Sequence, residues 1–131
     1  MTVEREAGPE GMSFSNSLRV QDSAGTWVYV SGHFGMDEAG RIVPGGLATQ
    51  SMAALESIVQ TVREAGGTAA NVVKLTAYVT SLDDYMLYNE VRMDVFAPSL
   101  PASTAVGVAS LIFPEASIEI DAVAFVPKNE G

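Results

Sequence analysis

The sequence predicts an α+β domain of order ββαβαββ, a sheet carrying two helices on one face, and three observations predict it. Leu47 to Ala65 places Met52, Leu55, Ile58, Val59 and Val62 at helical spacing. Val72 to Thr80 alternates Val73, Leu75, Ala77 and Val79 with Lys74, Thr76, Tyr78 and Thr80, the period of a strand with two different faces. Residues 117 to 126 put Ile118, Ile120, Ala122, Ala124 and Val126 on one wholly apolar face, with Glu119, Asp121, Val123 and Phe125 on the other. The apolar face requires helices over it. The mixed face requires cover of another kind, and self-association would supply it.

The remaining elements follow in order. Residues 1–12 are polar and carry Gly8-Pro9 and Gly11, so they read as a flexible N-terminal arm. Leu18-Arg19-Val20 and the run from Trp27 to His33 flank the turn cluster Asp22-Ser23-Ala24-Gly25, a hairpin signal. In the second of these strands Val28, Val30 and Phe34 fall on the helix-covered side, leaving Trp27, Tyr29, Ser31 and His33 on the open one. Gly66-Gly67 stops the first helix. Ser81-Leu82-Asp83-Asp84 has the form of a capping box, opening a second helix from about Asp83 to Phe96 that Pro98 ends. Strands over 104–112 and 117–126 complete the order, separated by Phe113-Pro114-Glu115-Ala116. Residues 13–127 form the single domain and 128–131 a polar tail.

Composition narrows the function. A chain of 131 residues has room for one domain, and a hydrophobic content of 47% with 18% charged residues is that of a folded one. A formal net charge of −9 repels phosphate backbones and anionic lipid, so neither nucleic acid nor membrane is an expected partner. The absence of cysteine removes disulfides and thiolate chemistry, and His33 is the one histidine. A transition metal would need a set of carboxylates, which are scattered, so no metal is expected. Gly45-Gly46 and Gly66-Gly67 are turn and cap glycines rather than a phosphate-binding loop, so no nucleotide is expected either. The start Met1-Thr2-Val3-Glu4-Arg5-Glu6 lacks a basic, apolar leader, and a cytoplasmic protein is the expectation.

Ser13-Phe14-Ser15-Asn16-Ser17-Leu18-Arg19-Val20, Val30-Ser31-Gly32-His33, Glu64-Ala65-Gly66-Gly67, Val72-Val73-Lys74-Leu75-Thr76, Asn89-Glu90-Val91, Pro101-Ala102-Ser103-Thr104 and Ile118-Glu119-Ile120-Asp121 occur in order and at matching intervals. Together, from about Ser13 to Val126, they resemble the YjgF/RidA family of reactive-intermediate deaminases, also labelled L-PSP endoribonucleases. The resemblance implies a chorismate-mutase-like fold and a homotrimer with sheets packed inward and ligand clefts between subunits. It also implies cofactor-free hydrolysis of imines and enamines such as 2-aminoacrylate.

In such members an arginine just after the Pro-Ala pair grips the substrate carboxylate; here Ser103 stands there, followed by Thr104. A tyrosine frequent near the start of the motif is Phe14. Glu119 matches the acid that holds or activates the attacking water, and is the expected catalytic group. Ser31 and Gly32 match the cleft-lining turn, Asn89 the helix asparagine, and His33 occupies the place of a glutamine. Phe14, Ser31, Gly32, His33, Asn89, Ser103 and Thr104 are therefore the expected ligand-binding residues. Some have a plainer reading: one or both of Glu119 and Asp121 paired with Lys74 in the trimer interior, His33 a satisfied interface residue, Asn89 a helix-to-loop bond.

The loss of both the arginine and the tyrosine points to a substrate other than the usual 2-aminoacrylate-type imino acid, for deamination, tautomerisation or hydrolysis. Arg19, Arg41 or Arg92 would restore the standard reaction if one reached the cleft. The alternative is a non-catalytic trimer that binds a metabolite or a protein. Ribonuclease action is disfavoured by the acidic charge.

Overall fold

The computed structural model describes residues 1–128. Its elements are β1 (Thr2–Ala7), β2 (Ser15–Gln21), β3 (Gly25–Phe34), α1 (Gly46–Glu64), a 3-10 turn at Ala69–Asn71, β4 (Val72–Val79), α2 (Tyr85–Phe96), β5 (Ala102–Gly107) and β6 (Ile118–Pro127). The six strands form one sheet in the order β1-β2-β3-β6-β4-β5. All neighbours are antiparallel except β4 and β5, which α2 joins as a crossover. This is the expected α+β order with one strand added at the front.

The added strand corrects the flexible arm expected over 1–12. Thr2–Ala7 pairs along β2 from Thr2 opposite Gln21 to Ala7 opposite Ser15. All six residues are exposed, so no apolar alternation marks the strand in the sequence. What holds it is the ladder and its cross-strand polar pairs. Glu4 stands opposite Arg19, and the Glu6 carboxylate accepts from Ser17 Oγ at 3.0 Å. Charges along this edge also discourage further strand addition. Of the polar tail expected over 128–131, residues 129–131 lie outside the described residues; Lys128 N–H donates to Ala24 O at 3.0 Å.

Register explains which side chains meet the helices. Val28 lies opposite Ala124 and Val30 opposite Ala122, while Leu75 and Ala77 lie opposite Ala122 and Ile120. All are buried, together with Ala54, Leu55, Ile58 and Val62 of α1 and Tyr88 and Val91 of α2. Burial of this apolar face, worth roughly 25 cal/mol per Å², fixes the helices on one side of the sheet. The other side stays open: Trp27 and Tyr29 remain 37% and 45% exposed.

Local signals succeed and fail for visible reasons. At the C-terminus of α1, Gly66 takes φ 92 and its N–H donates to Arg63 O at 2.9 Å, the stop that Gly66-Gly67 announces. The hairpin turn forms as expected, with Ala24 N–H donating to Asp22 Oδ1 at 2.8 Å. The capping box at Ser81 does not form, because Ser81 Oγ accepts from Asp83 N–H at 3.2 Å and the helix begins only at Tyr85. The strand expected over 104–112 runs instead from Ala102 to Gly107, since β5 is an edge strand and its partner β4 ends at Val79. Among the described residues no helix is long and apolar enough to cross a membrane.

Candidate active site

The centre of the site is a break in β3. Between Val30, opposite Ala122, and His33, opposite Ile120, the pairing slips by one residue, a β-bulge at Ser31-Gly32. Because side chains alternate, the slip reverses the faces of everything after it. Phe34 thus lies opposite Glu119 on the open face, edge-on to Phe113 with ring centroids 4.9 Å apart. His33 lies opposite Ile120 on the helix face, where its Nδ1 meets Ser57 Oγ of α1 at 2.7 Å.

The expectation that His33 lines the ligand cleft and Phe34 the core is therefore corrected, with the bulge as the reason. Burial lowers the His33 pKa, against an opposing pull from Glu6, so the ring is neutral at neutral pH. The sequence carries a signal for the bulge, a glycine inside a strand pattern.

The bulge also brings the β3 backbone under Glu119. A Cβ built on Gly32 would overlap the Glu119 carboxylate, 2.7 Å from its Cδ, so glycine is what lets the acid lie against this strand. Ser31 Oγ donates to Ser15 O at 2.6 Å and ties the bulge to β2. Around them opens a cleft of 670 Å³ whose walls include Phe14, Leu18, Tyr29, Ser31, Gly32, Glu119 and Asp121. Of the residues expected at a site, Phe14, Ser31, Gly32 and Glu119 are brought together here.

Electrostatics set Glu119 apart from Asp121. Both point from β6 to the open face, two residues apart. Asp121 accepts a hydrogen bond from Tyr78 Oη at 3.0 Å, and that bond is the largest cause of the raised Tyr78 pKa. Glu119 has no partner of this kind among the described residues. Desolvation first, and the Asp121 charge second, raise its pKa above the ordinary 4.5. Lys74 neutralises neither acid within the chain, since its Nζ donates to Leu75 O and to Thr104 Oγ1, both at 2.9 Å. Thr104 is accordingly a partner of Lys74 and lines neither pocket described here.

Asn89 and Ser103 lie in a second, smaller pocket of 140 Å³ with Arg92, Met93, Leu100 and Pro101. Arg92 is the one of the three arginines Arg19, Arg41 and Arg92 that lines this pocket, and the other two are elsewhere. Arg41 sits on an exposed loop 3.9 Å from Asp37, and Arg19 lies on β2 beside Glu4. Nothing in the spacing of α2 singles out Arg92; only the fold brings it to Ser103. Among the described residues no group of three or more His, Asp or Glu could hold a metal ion.

A mixed sheet with both helices on one face, a bulged strand beneath an acid and an open cleft beside it define an α+β protein of chorismate-mutase-like architecture. The chain belongs to the Endoribonuclease L-PSP family, whose model matches residues 11–126. It is 40% identical over 99 residues to the 2-iminobutanoate/2-iminopropanoate deaminase of Rattus norvegicus, covering 74% of this chain and 71% of that one. A RutC family protein of Pyrococcus abyssi is 34% identical over 124 residues, 94% of this chain and 93% of its own. Among solved structures, RidA from an Antarctic Psychrobacter matches with a TM-score of 0.78 and 29% identity, covering 96% of this chain and 99% of that one. A YjgF/YER057c/UK114 family member from Mycobacterium tuberculosis matches with a TM-score of 0.80 and 27% identity, covering 95% and 100%.

Proposed function

We propose that this chain is a cofactor-free imine or enamine deaminase acting at the Glu119 cleft, on a substrate other than the usual 2-aminoacrylate-type imino acid. The observation that carries the reading is the Glu119 carboxylate, seated over Gly32 in an open cleft, unpaired among the described residues and raised in pKa. A carboxylate so tuned can do both halves of the chemistry. Protonated, it gives its proton to the enamine carbon, leaving an iminium. Ionised, it takes a proton from water as the water oxygen bonds to the iminium carbon. The resulting carbinolamine then expels ammonia, with the hydroxyl proton passing through the same carboxylate, and the carbonyl product remains.

The relatives named as 2-iminobutanoate/2-iminopropanoate deaminases support the reaction class. Ser103 and Phe14, at the positions of the family's arginine and tyrosine, support a different substrate. Phe14, Leu18 and Tyr29 give the cleft an apolar wall suited to a larger imine. A homotrimer is part of the same proposal, supported by the exposed aromatic residues of the open sheet face.

The test is ammonia and ketoacid release from freshly generated imines of small and larger amino acids, comparing wild type, Glu119→Ala and an arginine-containing family member. Glu119-dependent release that favours the larger imines is expected. An inactive wild type beside an active control would replace the reading with that of a non-catalytic binding protein.

A further inference from the structure

Tyr78 of β4 lies directly opposite Glu119 of β6, yet its hydroxyl bonds elsewhere. Thr76 is the residue opposite Asp121, so the tyrosine reaches diagonally across the ladder to donate to Asp121 Oδ2 at 3.0 Å. A phenol has one proton to donate, and the bond to Asp121 leaves none for Glu119. The other groups around the acid do not offset this choice. Phe34 and Gly32 face it from β3 and carry no charge. Tyr29, further along β3, and Lys74, further along β4, both stand opposite Val123, and the Lys74 Nζ donates to Leu75 O and Thr104 Oγ1. Among the described residues Tyr78 is the one side-chain donor to either carboxylate.

Two carboxylates on one face, two residues apart, repel each other when both are ionised, and a proton on either relieves the repulsion. Hydrogen bonding decides which of them takes it. A hydroxyl that donates to a carboxylate stabilises the ionised form, and such a charge-assisted bond is about twice as strong as a neutral one. The donor at Asp121 therefore keeps the negative charge there and leaves the proton to Glu119, which is half-buried against Gly32. The phenol shows the other side of the same exchange. Its pKa is raised, with the bond to Asp121 as the largest cause, so Tyr78 holds its proton as a standing donor rather than releasing it.

We propose that Tyr78 is a positioning residue that divides the work of the two acids: its bond fixes Asp121 as the standing anion and leaves Glu119 as the carboxyl that gives and takes the proton. The proposal rests on the reading of Glu119 as the acid–base group of the cleft. Without the hydroxyl, the ring would still fill its place opposite Glu119, but the proton would be shared between the acids.

Titration of the Glu119 side-chain carboxyl by carbon-13 NMR in the full chain follows the proton without any substrate. In Tyr78→Phe, which keeps the ring and loses the hydroxyl, the Glu119 midpoint should fall back toward the ordinary 4.5, because Asp121 then takes a share of the proton. Asp121→Asn should produce a fall of its own. Adding Tyr78→Phe to Asp121→Asn should produce no further fall, since the hydroxyl acts through Asp121. Turnover gives a second readout. The proton-bearing form of Glu119 becomes rarer at neutral pH in Tyr78→Phe, so kcat should drop about tenfold with KM little changed, the loss of one charge-assisted hydrogen bond. Thermal melts identify any loss of fold. An unmoved Glu119 titration in folded Tyr78→Phe, or a second fall in the double variant, overturns the role of Tyr78 whatever the turnover. A Glu119 midpoint at or below 4.5 in the wild-type chain overturns it without recourse to a variant. A titration that moves as expected in a chain without turnover keeps Tyr78 in its role and removes the deaminase reading instead.

Discussion

Gly32 and Glu119 occupy touching space: a methyl group on the Gly32 Cα would stand 2.7 Å from the Glu119 Cδ. The bulge at Ser31-Gly32 is therefore the seat of the acid as well as a break in the ladder. Gly32→Ala must displace either the strand or the carboxylate. Overpacking of this kind costs about 1–3 kcal/mol in stability, less here because Glu119 is half-buried and can swing outward. Activity should fall further than stability, since a displacement of about 1 Å at a reacting group can cost about a hundredfold in rate. Turnover measured beside a thermal melt checks this; a variant with native turnover would show that Glu119 need not lie against β3.

Glu119 should dominate the pH dependence of turnover. Burial and the Asp121 charge hold its pKa above 4.5, so the water-activating, ionised form is lost at a higher pH than for an ordinary glutamate. The acid limb of kcat/KM is expected to have its midpoint above 4.5. Glu119→Gln should lower kcat by about 10²–10⁴ and abolish that limb. Stability moves in the opposite sense. The folded chain holds this proton more tightly than the unfolded one, so stability falls as pH rises from the ordinary carboxylate range through the raised value. Urea midpoints across that window should slope less in Glu119→Gln. An Asp121→Asn variant should move the acid limb back toward 4.5, because it removes the neighbouring charge.

His33 should act on stability rather than catalysis. Its ring faces α1, bonded to Ser57 Oγ, and burial lowers its pKa below 6.5. The unfolded chain therefore takes up a proton at a pH where the folded chain does not. Stability is complete above about pH 6.5 and is lost as pH falls toward the lowered value. His33→Gln, which keeps a hydrogen-bonding side chain without the titration, should remove that part of the acid sensitivity while leaving kcat near wild type. Urea denaturation between pH 5 and 7, scored with turnover at pH 7, separates the two roles. A large loss of kcat would return His33 to the chemistry.

The helix-covered face was legible in the sequence because burial leaves a periodic mark: Ile118, Ile120, Ala122 and Ala124 on β6, and Leu55, Ile58 and Val62 on α1, all lie in the core. β1 left no such mark, since a strand exposed on both faces needs no apolar alternation. The site was legible in part. Glu119, Gly32, Ser31 and Phe14, each read from a local motif, line one cleft. The position of His33 escapes strict alternation, because one bulge shifts the pairing by a residue. Arg92 was beyond local pattern: its meeting with Ser103 needs the β4–α2–β5 crossover to place two segments side by side.

The open face of the sheet should be the assembly surface. Tyr29 lies opposite both Leu18 and Val123, and Trp27 opposite both Val20 and Phe125, with the Trp27 and Phe125 rings 4.7 Å apart. The three strands β2, β3 and β6 thus present a contiguous apolar area to water, beside the cleft that holds Glu119. An exposed patch of this kind on a folded chain marks an interaction surface. Tyr29→Glu places a charge at its centre, where association would have to desolvate it without a partner. The expected result is a monomer by light scattering at micromolar protein, with far-UV circular dichroism unchanged because the helix-side core is untouched. Met86→Glu, at an exposed position on α2 away from this face, should alter neither assembly nor stability by more than about 0.5 kcal/mol. Tyr29 also lines the cleft and Trp27 does not, so Trp27→Glu carries the functional reading: if turnover disappears with assembly in Trp27→Glu while Met86→Glu keeps both, the Glu119 cleft is completed by a neighbouring copy. A fully active monomer would instead place the whole reaction within one chain.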